Sequence, residues 1–384
     1  MQIAVLSGAT TKFGELWEQS PRSLAQEVVS QAIEQAGIEK KETQALFVGN
    51  MLAGILGGQE NIGAFFADEL GLEVPAVRIE GACASGGLAV HQAVLSLLTG
   101  KYQTVLILGI EKMTDYKPEE VAQALMAAGS DEERKAGLTF PGLYALMAQA
   151  HMEKYGTTEE EMAAVAVKNH FHACLNEKAQ FKKEITIDDV LKSAKVADPL
   201  KLLDCSPISD GATAIILSSK FKVQSSRDKP VFIAASAVAT DTLALADRED
   251  LISLKATKKA ARKAYQMAGL GPEDIDLAEV HDCFTIAEIM AMEDLGFFEK
   301  GKAGQAILKG ETKIGGKGPI INSSGGLKAG GHPVGATGVK QIVEVFNQLS
   351  GQAGKRQVKG AKIGLAHNVA GSGALAVVHI LSNL

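Results

Sequence analysis

The chain is short of basic charge, cysteine, aromatic residues and long apolar runs, and the shortages close off classes of function. With 39 Lys+Arg against 45 Asp+Glu, it has no positive field with which to hold a phosphate backbone, so no nucleic acid is expected as a partner. No apolar run approaches the roughly 20 residues that span a bilayer, so no membrane is expected either. The start, Met1 to Leu6, has neither a basic n-region nor a long apolar h-region. The ending Leu381-Ser-Asn-Leu is not the Ser-Lys-Leu peroxisomal address, and the expected setting is cytoplasmic and prokaryotic. Four cysteines, Cys83, Cys174, Cys205 and Cys283, are too few to staple 384 residues and show no CxxC spacing. This argues against a disulfide scaffold and a bound metal, and the four read as free thiols. What the chain does have is glycine, 40 residues of it, and 46% hydrophobic residues, enough for a large core with the tight strand-to-helix turns of an α/β fold.

Comparison of the chain with itself reveals a repeat, which decides architecture before any local pattern does. Ala32 to Asn50 aligns without gaps on Ala264 to Asp282, with Gly37 and Gly269 where a helix C-cap belongs. The strand at Ala76 to Glu80, the turn GACASGG and a helix near Leu88 to Leu98 match a strand at Pro319 to Asn322, the turn GGHPVGATG and a helix near Val339 to Leu349. Apolar strands follow at Thr104 to Gly109 and Lys362 to Ala366, and GATAIILSS from Gly211 matches GALAVVHILS from Gly373. The offset between Cys83 and His332 exceeds that between Gly211 and Gly373, so the first copy carries roughly 90 additional residues between Ile110 and Pro207. The pattern there is helical over Leu143 to Lys154 and Glu159 to Asn176, with Thr157 or Thr158 as N-cap and short extended pieces such as Ile185 to Ile187. The expectation is two mixed α/β halves related by a pseudo-twofold axis, with an inserted lid. The expected organisation is residues 1–116 and 207–228 for the first half, 117–206 for the lid and 229–384 for the second half.

Chemistry-bearing residues gather at the strand ends. Cys83, between a strand and a helix, sits where unsatisfied N–H groups and the helix dipole favour a thiolate. His332 occupies the matching turn of the second copy, and equivalent turns facing one cleft would bring it to Cys83 as a base. His281 and Cys283, in Val280-His-Asp-Cys-Phe, stand at another strand-to-helix junction, and His367-Asn368-Val369-Ala370-Gly371 ends the strand at Lys362 to Ala366. The remaining histidines, with Cys174 and Cys205, fall in ordinary packing patterns.

The motifs GACASGG, HDCFT, GGHPVGATG and HNVAGSG resemble, in order and spacing, those of the thiolase superfamily, in the branch of sterol carrier protein 2 thiolase and archaeal acetoacetyl-CoA thiolases. The resemblance covers essentially the whole chain. It implies a five-layer α-β-α-β-α fold and an acyl-CoA C-acyltransferase that cleaves 3-oxoacyl-CoA, or condenses acyl-CoA, through an acyl-cysteine intermediate. Under that resemblance Cys83 is the nucleophile and His332 its base, His332 also contributing to the hole for the thioester oxygen. His281 shapes the site where ordinary thiolases carry Asn, and Cys283 is the acid/base at the α-carbon. The backbone N–H of Cys83 and one from the Val369 to Gly371 turn would hold a tetrahedral oxyanion. Ordinary thiolases have a Cys followed by glycines where this chain has His367-Asn368-Val369-Ala370-Gly371, so the role given to Cys283 rests on the branch.

The resemblance also implies CoA and acyl-CoA as substrates with no tightly bound cofactor, CoA contacts from the lid and its edges, a homodimer or tetramer, and a small zinc-ribbon/OB-fold partner that helps to bind CoA. Two alternatives stand beside the acyltransferase. One is a decarboxylating 3-oxoacyl synthase using Cys83, His281 and His332; the other is a subunit inactive without its partner.

Overall fold

A computed structural model describes residues 2–221 and 230–384. The first half runs β1 (Ala4–Thr10), α1 (Pro21–Ala36), β2 (Leu46–Gly49), α2 (Ile62–Glu69), β3 (Ala76–Ile79), α3 (Ser85–Leu98) and β4 (Thr104–Glu111). An insert of five helices follows, α4 (Pro118–Leu125), α5 (Asp131–Lys135), α6 (Phe140–Tyr155), α7 (Glu159–Cys174) and α8 (Ile187–Lys192), with a small hairpin of β5 (Lys195–Ala197) and β6 (Leu200–Lys201). β7 (Gly211–Ser218) then returns to the first half. The second half runs β8 (Val231–Thr240), α9 (Lys255–Ala268), β9 (Leu277–Glu279), α10 (Thr285–Asp294), α11 (Ala303–Leu308), β10 (Ile320–Ile321), α12 (Val334–Leu349), β11 (Ile363–Ala370) and β12 (Leu375–Ser382). The expected boundary at 228/229 lies outside the described residues.

The strand order is β10-β9-β11-β12-β8-β1-β7-β4-β2-β3, which reads the same element by element from either end of the repeat. Among the described residues, two pairs, Ala4–Phe232 and Val5–Val231, join the halves across β1 and β8. α3 and α12 pack on each other and on strands of both halves, while α1 covers β7 and β1 and α9 covers β8 and β12 on the outside. The layers therefore alternate α-β-α-β-α. α12 is core along nearly its whole length, hiding even Lys340, Gln341, Glu344 and Gln348, whereas α3 keeps an exposed stripe at Gln92, Leu95 and Leu98. Each of those α12 side chains is tolerated because it makes at least one hydrogen bond or ion pair, Glu344 with Arg356 Nη2 at 2.8 Å, for example.

The central helices cross with backbone against backbone. A Cβ on Gly86 would stand 2.7 Å from the Gly335 carbonyl oxygen, and one on Gly338 would stand 2.1 Å from the Gly87 nitrogen. Only glycine permits this approach, and it brings the turn before α3 beside the turn before α12.

Local boundaries differ from the sequence expectation in three places. α3 and α12 begin at Ser85 and Val334, three to five residues ahead of the expected starts. Ile185 to Ile187 is not extended: Thr186 caps α8, its Oγ1 accepting from the Asp189 N–H at 3.1 Å, and a capping box outweighs the strand preference of β-branched residues. β11 continues through His367 to Ala370 because each of these residues pairs with β12, His367 opposite Val378 and Ala370 opposite Leu375. The turn is therefore Gly371 to Ala374, with Gly371 at φ +56° and Gly373 at φ +111°. Among the described residues, no helix is long and apolar enough to cross a membrane.

Candidate active site

β3 ends at Ile79, and a single 3-10 turn, Ala82–Ala84, precedes α3. Ala82 is held at φ +49°, a left-handed conformation that costs a non-glycine residue about 1–3 kcal/mol. Hydrogen bonds fix it there: the Ala82 N–H donates to Glu80 Oε1 at 2.6 Å, and Ser85 Oγ donates to the Ala82 carbonyl at 2.6 Å. The sharp turn presents Cys83 to a cavity. Its own N–H and that of Gly371 are both directed at the sulfur. Nevertheless burial, with Glu111 and Glu80 nearby, pushes the thiol up to about 12. Desolvation therefore outweighs the pull of the helix N-terminus towards a thiolate, and the resting group is a thiol that needs a base, as the sequence reading expected of His332.

The proton positions on the two histidines follow from their neighbours. Thr337 Oγ1 donates to the Pro333 carbonyl at 3.0 Å, so its hydrogen is committed, and His332 Nδ1 at 2.7 Å must donate to it. That leaves His332 Nε2 with a free lone pair. Asn368 Oδ1 accepts from the Gly87 N–H at 3.1 Å, which orients the amide so that Nδ2 donates to the Cys83 carbonyl at 3.0 Å and to His281 Nδ1 at 3.1 Å. His281 therefore carries its proton on Nε2, a buried donor with no partner among the described residues. The rings meet edge to face with centroids 5.1 Å apart. Burial pushes His332 down to about 3, with Lys340 adding to the effect, and burial holds His281 well below the ordinary histidine range. Both are neutral at pH 7, one offering a lone pair and the other a proton.

Sγ of Cys83 and ring nitrogens of His281 and His332 lie within 4.8 Å of one another. Linear spacing concealed this cluster, which has the dimensions of a metal site. Its outer partners suit a different task, because the Asn368 amide donates to Nδ1 of His281 and keeps a proton on the very nitrogen a metal would need.

An apolar cavity of about 200 Å³ contains Cys83, Cys283, His332, Gly371, Tyr144, Phe140 and Cys205 on its wall. Cys283 lies just before α10, and burial raises its thiol well above the ordinary range. Of the residues expected at the end of β11, Gly371 alone reaches this cavity. Asn368 stands behind Cys83 and His281, Val369 is in the core, and His367 is turned away, its Nε2 at 2.9 Å from Thr257 Oγ1. Cys205, read from sequence as structural, is on the cavity wall with its thiol donating to the Lys201 carbonyl. Sequence reading missed Thr337, which fixes the His332 proton on Nδ1, and Tyr144, one of only five tyrosines. The available signal for Tyr144 was its place on the apolar face of a lid helix, since a buried tyrosine needs a partner for its hydroxyl.

Two family models match this chain: "Thiolase, N-terminal domain" over residues 3–220 and "Thiolase C-terminal domain-like" over residues 237–383. The chain is 51% identical over 383 residues to an acetyl-CoA acetyltransferase of Methanothermobacter thermautotrophicus, covering 99% of each. It is 38% identical to sterol carrier protein 2 of Bos taurus, over 92% of this chain and 67% of that one. Among solved structures, an Ltp2-ChsH2(DUF35) aldolase aligns with a TM-score of 0.83 at 24% identity, over 98% of this chain and 97% of that one. The Acat5 thiolase of Ascaris suum in complex with coenzyme A aligns at 0.72 and 21% identity, over the full length of both; these two speak to the fold. Duplicated halves, a cysteine turn facing a histidine turn, and full-length similarity to acetyltransferases lead to one assignment: the chain belongs to the thiolase family and is an acyltransferase.

Proposed function

We propose that the enzyme interconverts 3-oxoacyl-CoA plus CoA with two acyl-CoA molecules, with Cys83 as acyl carrier, His332 as its base, His281 as oxyanion donor and Cys283 as acid/base at the α-carbon. The observation that carries this reading is the meeting of Cys83, His281 and His332 beside a cavity that also holds Cys283.

In the cleavage direction, His332 Nε2 takes the thiol proton as Sγ bonds to the 3-keto carbon. The tetrahedral adduct collapses by breaking the bond between the α- and β-carbons, leaving an acyl group on Cys83 and an acyl-CoA enolate. The enolate oxygen accepts from His281 Nε2–H and from the newly protonated His332, and the Cys283 thiol protonates the α-carbon. Incoming CoA gives its thiol proton to the Cys283 thiolate and attacks the acyl carbon. The N–H groups of Cys83 and Gly371, both aimed at the sulfur, hold the second oxyanion until Cys83 leaves and recovers its proton from His332. Because the resting thiol is neutral, proton transfer is coupled to attack.

Incubation with acetoacetyl-CoA and CoA should yield acetyl-CoA. Product formed only from malonyl donors would replace this reading with the decarboxylating synthase, which has no use for an acid/base at Cys283. A small zinc-ribbon/OB-fold partner that completes the CoA site belongs to the same proposal, as does assembly into a homodimer or tetramer. It is supported by the ChsH2(DUF35) component named with the solved Ltp2 neighbour, and addition of such a protein should raise the activity of the isolated chain.

A further inference from the structure

Tyr144 belongs to α6 in the insert, yet its side chain is 1% exposed and reaches both sulfur-bearing sides of the cavity. The hydroxyl donates to the Gly371 carbonyl at 3.0 Å, and Cys283 shares the cavity wall with it, the next residue, Phe284, packing on the Tyr144 ring. A phenol has one hydrogen, and a carbonyl can only accept. With that hydrogen committed to Gly371, a Cys283 thiol that meets the phenol can only donate to its oxygen. The other end of Gly371, its N–H, points at the sulfur of Cys83. One side chain thus links the thiol of the carbon–carbon step to the turn that serves the acyl carrier.

The ring is fixed while the hydroxyl is free to rotate. Phe284, the neighbour of Cys283, packs on the ring with centroids 4.6 Å apart and planes inclined by 31°. On the far side of the turn Arg248 donates to the Ser372 carbonyl at 2.6 Å and to Ser372 Oγ at 3.2 Å, so the turn is anchored at Ser372 by Arg248 and at Gly371 by Tyr144. When Cys283 has given its proton to the α-carbon, the phenol can swing its hydrogen from Gly371 to the thiolate without moving a heavy atom.

We propose that Tyr144 is a positioning residue for the carbon–carbon step, aiming the Cys283 proton in the resting enzyme and donating its own hydrogen to the Cys283 thiolate. This rests on the acid/base role proposed for Cys283. The proton it gives to sulfur is a hydrogen bond and is not transferred, so the balance of the reaction is unchanged. The charged and titratable groups facing the pair include Cys83, Asp282 and Arg248, and the Phe284 N–H also favours the Cys283 thiolate, so removing the phenol hydroxyl takes away one donor and leaves another.

The test compares wild type with Tyr144→Phe in deuterium exchange at the methyl group of acetyl-CoA, and separately in acylation of Cys83. Exchange is expected to fall about a hundredfold, within the range for acid/base positioning, with acylation retained to within a few-fold. In a Cys83→Ser background, the pH profile for alkylation of Cys283 should move up by about one unit in Tyr144→Phe, because the thiolate loses a donor. Placing 3,5-difluorotyrosine at position 144, a stronger donor of the same shape, should move it down. The substitution to Phe strands the Gly371 carbonyl, so if that variant fails to fold the fluorinated residue decides. An unmoved alkylation profile, or equal loss of exchange and acylation, overturns the proposal. Wild type that makes no acetyl-CoA from acetoacetyl-CoA and CoA would instead overturn the function on which it rests.

Discussion

The two halves present the same strand ends in the same order, and the end of β2 differs from that of β9 in what it spends its residues on. In the aligned repeat, Gly49, Asn50 and Met51 stand where the second half has His281, Asp282 and Cys283. Gly49 lies against the backbone of α3, where a Cβ would meet Gly86 Cα at 2.8 Å. Asn50 and the N–H groups of Met51 and Leu52 all donate to the carboxylate of Glu111 at 2.8 to 3.0 Å. That strand end is scaffolding: it seats α3 and thereby the Cys83 turn. In the second half the buried acid is Asp282 itself, which accepts from the Leu327 N–H at 2.7 Å and from Asn169 of the lid at 2.7 Å. With the acid satisfied by other elements, Cys283 on one side is free to face the cavity and His281 on the other to meet Cys83 and His332. Duplication supplied two equivalent junctions: the end of β2 seats α3, and the end of β9 carries His281 and Cys283, to which the proposed function gives chemistry.

The comparison is broken most severely at the carrier. Cys83→Ala should lower turnover by at least about a thousandfold and abolish acyl-enzyme formation. An acyl adduct found by mass spectrometry on Cys283 or Cys205 would show that the division of labour is drawn wrongly. Cys283→Ala should be next, losing about a hundredfold or more in thiolysis and in α-proton exchange while a simple thioester still acylates Cys83. Equal loss of both half-reactions would make Cys283 part of the scaffold, like Met51 opposite it.

Much of this was legible in the sequence because repetition is a one-dimensional signal. The paired motifs placed Cys83 and His332 in equivalent turns, and the register offset located the insert between Ile110 and Pro207. Proton positions were not legible, since they depend on contacts between distant residues, such as Asn368 with Gly87. The balance of forces on the Cys83 thiol was not legible for a related reason: a helix N-terminus is visible in sequence, but the depth of burial that opposes it is not. Tyr144 escaped notice because its partners, Cys283 and Gly371, are more than a hundred residues away.

A smaller effect tests how the two turns are brought together. Gly338→Ala would place a Cβ at 2.1 Å from Gly87 N and 2.2 Å from Asn368 Oδ1, with backbone on one side and the amide that orients His281 on the other. It should destabilise the protein by about 1–3 kcal/mol, seen as a lowered denaturation midpoint, and reduce activity in the fraction that folds. Gly37→Ala is the contrast. Gly37 sits at φ +63° with nothing within 4 Å, so its cost should be the left-handed backbone alone, about 1 kcal/mol, with activity intact. A Gly338 variant no worse than the Gly37 variant would mean that α3 and α12 can separate without consequence.

The smallest effect concerns acid stability away from the chemistry. His379, in β12 at the α3 interface, is 1% exposed, and its Nε2–H donates to the Gly87 carbonyl at 3.1 Å. Burial pushes it down to about 3. A histidine depressed in the folded state favours folding fully above its unfolded pKa near 6.5, and that contribution is lost as pH falls from there towards about 3, because the unfolded chain takes up the proton first. By pH 5 the loss should be about 2 kcal/mol. His379→Gln keeps a donor for Gly87 and removes the titration, so its stability should fall less steeply than wild type between pH 6.5 and 5 in denaturant unfolding. Because His332 and His367 are also depressed to about 3, the limb should flatten by about one part in several. If it did not flatten at all, the packing of β12 on α3 would be looser than the close contact of the two halves requires.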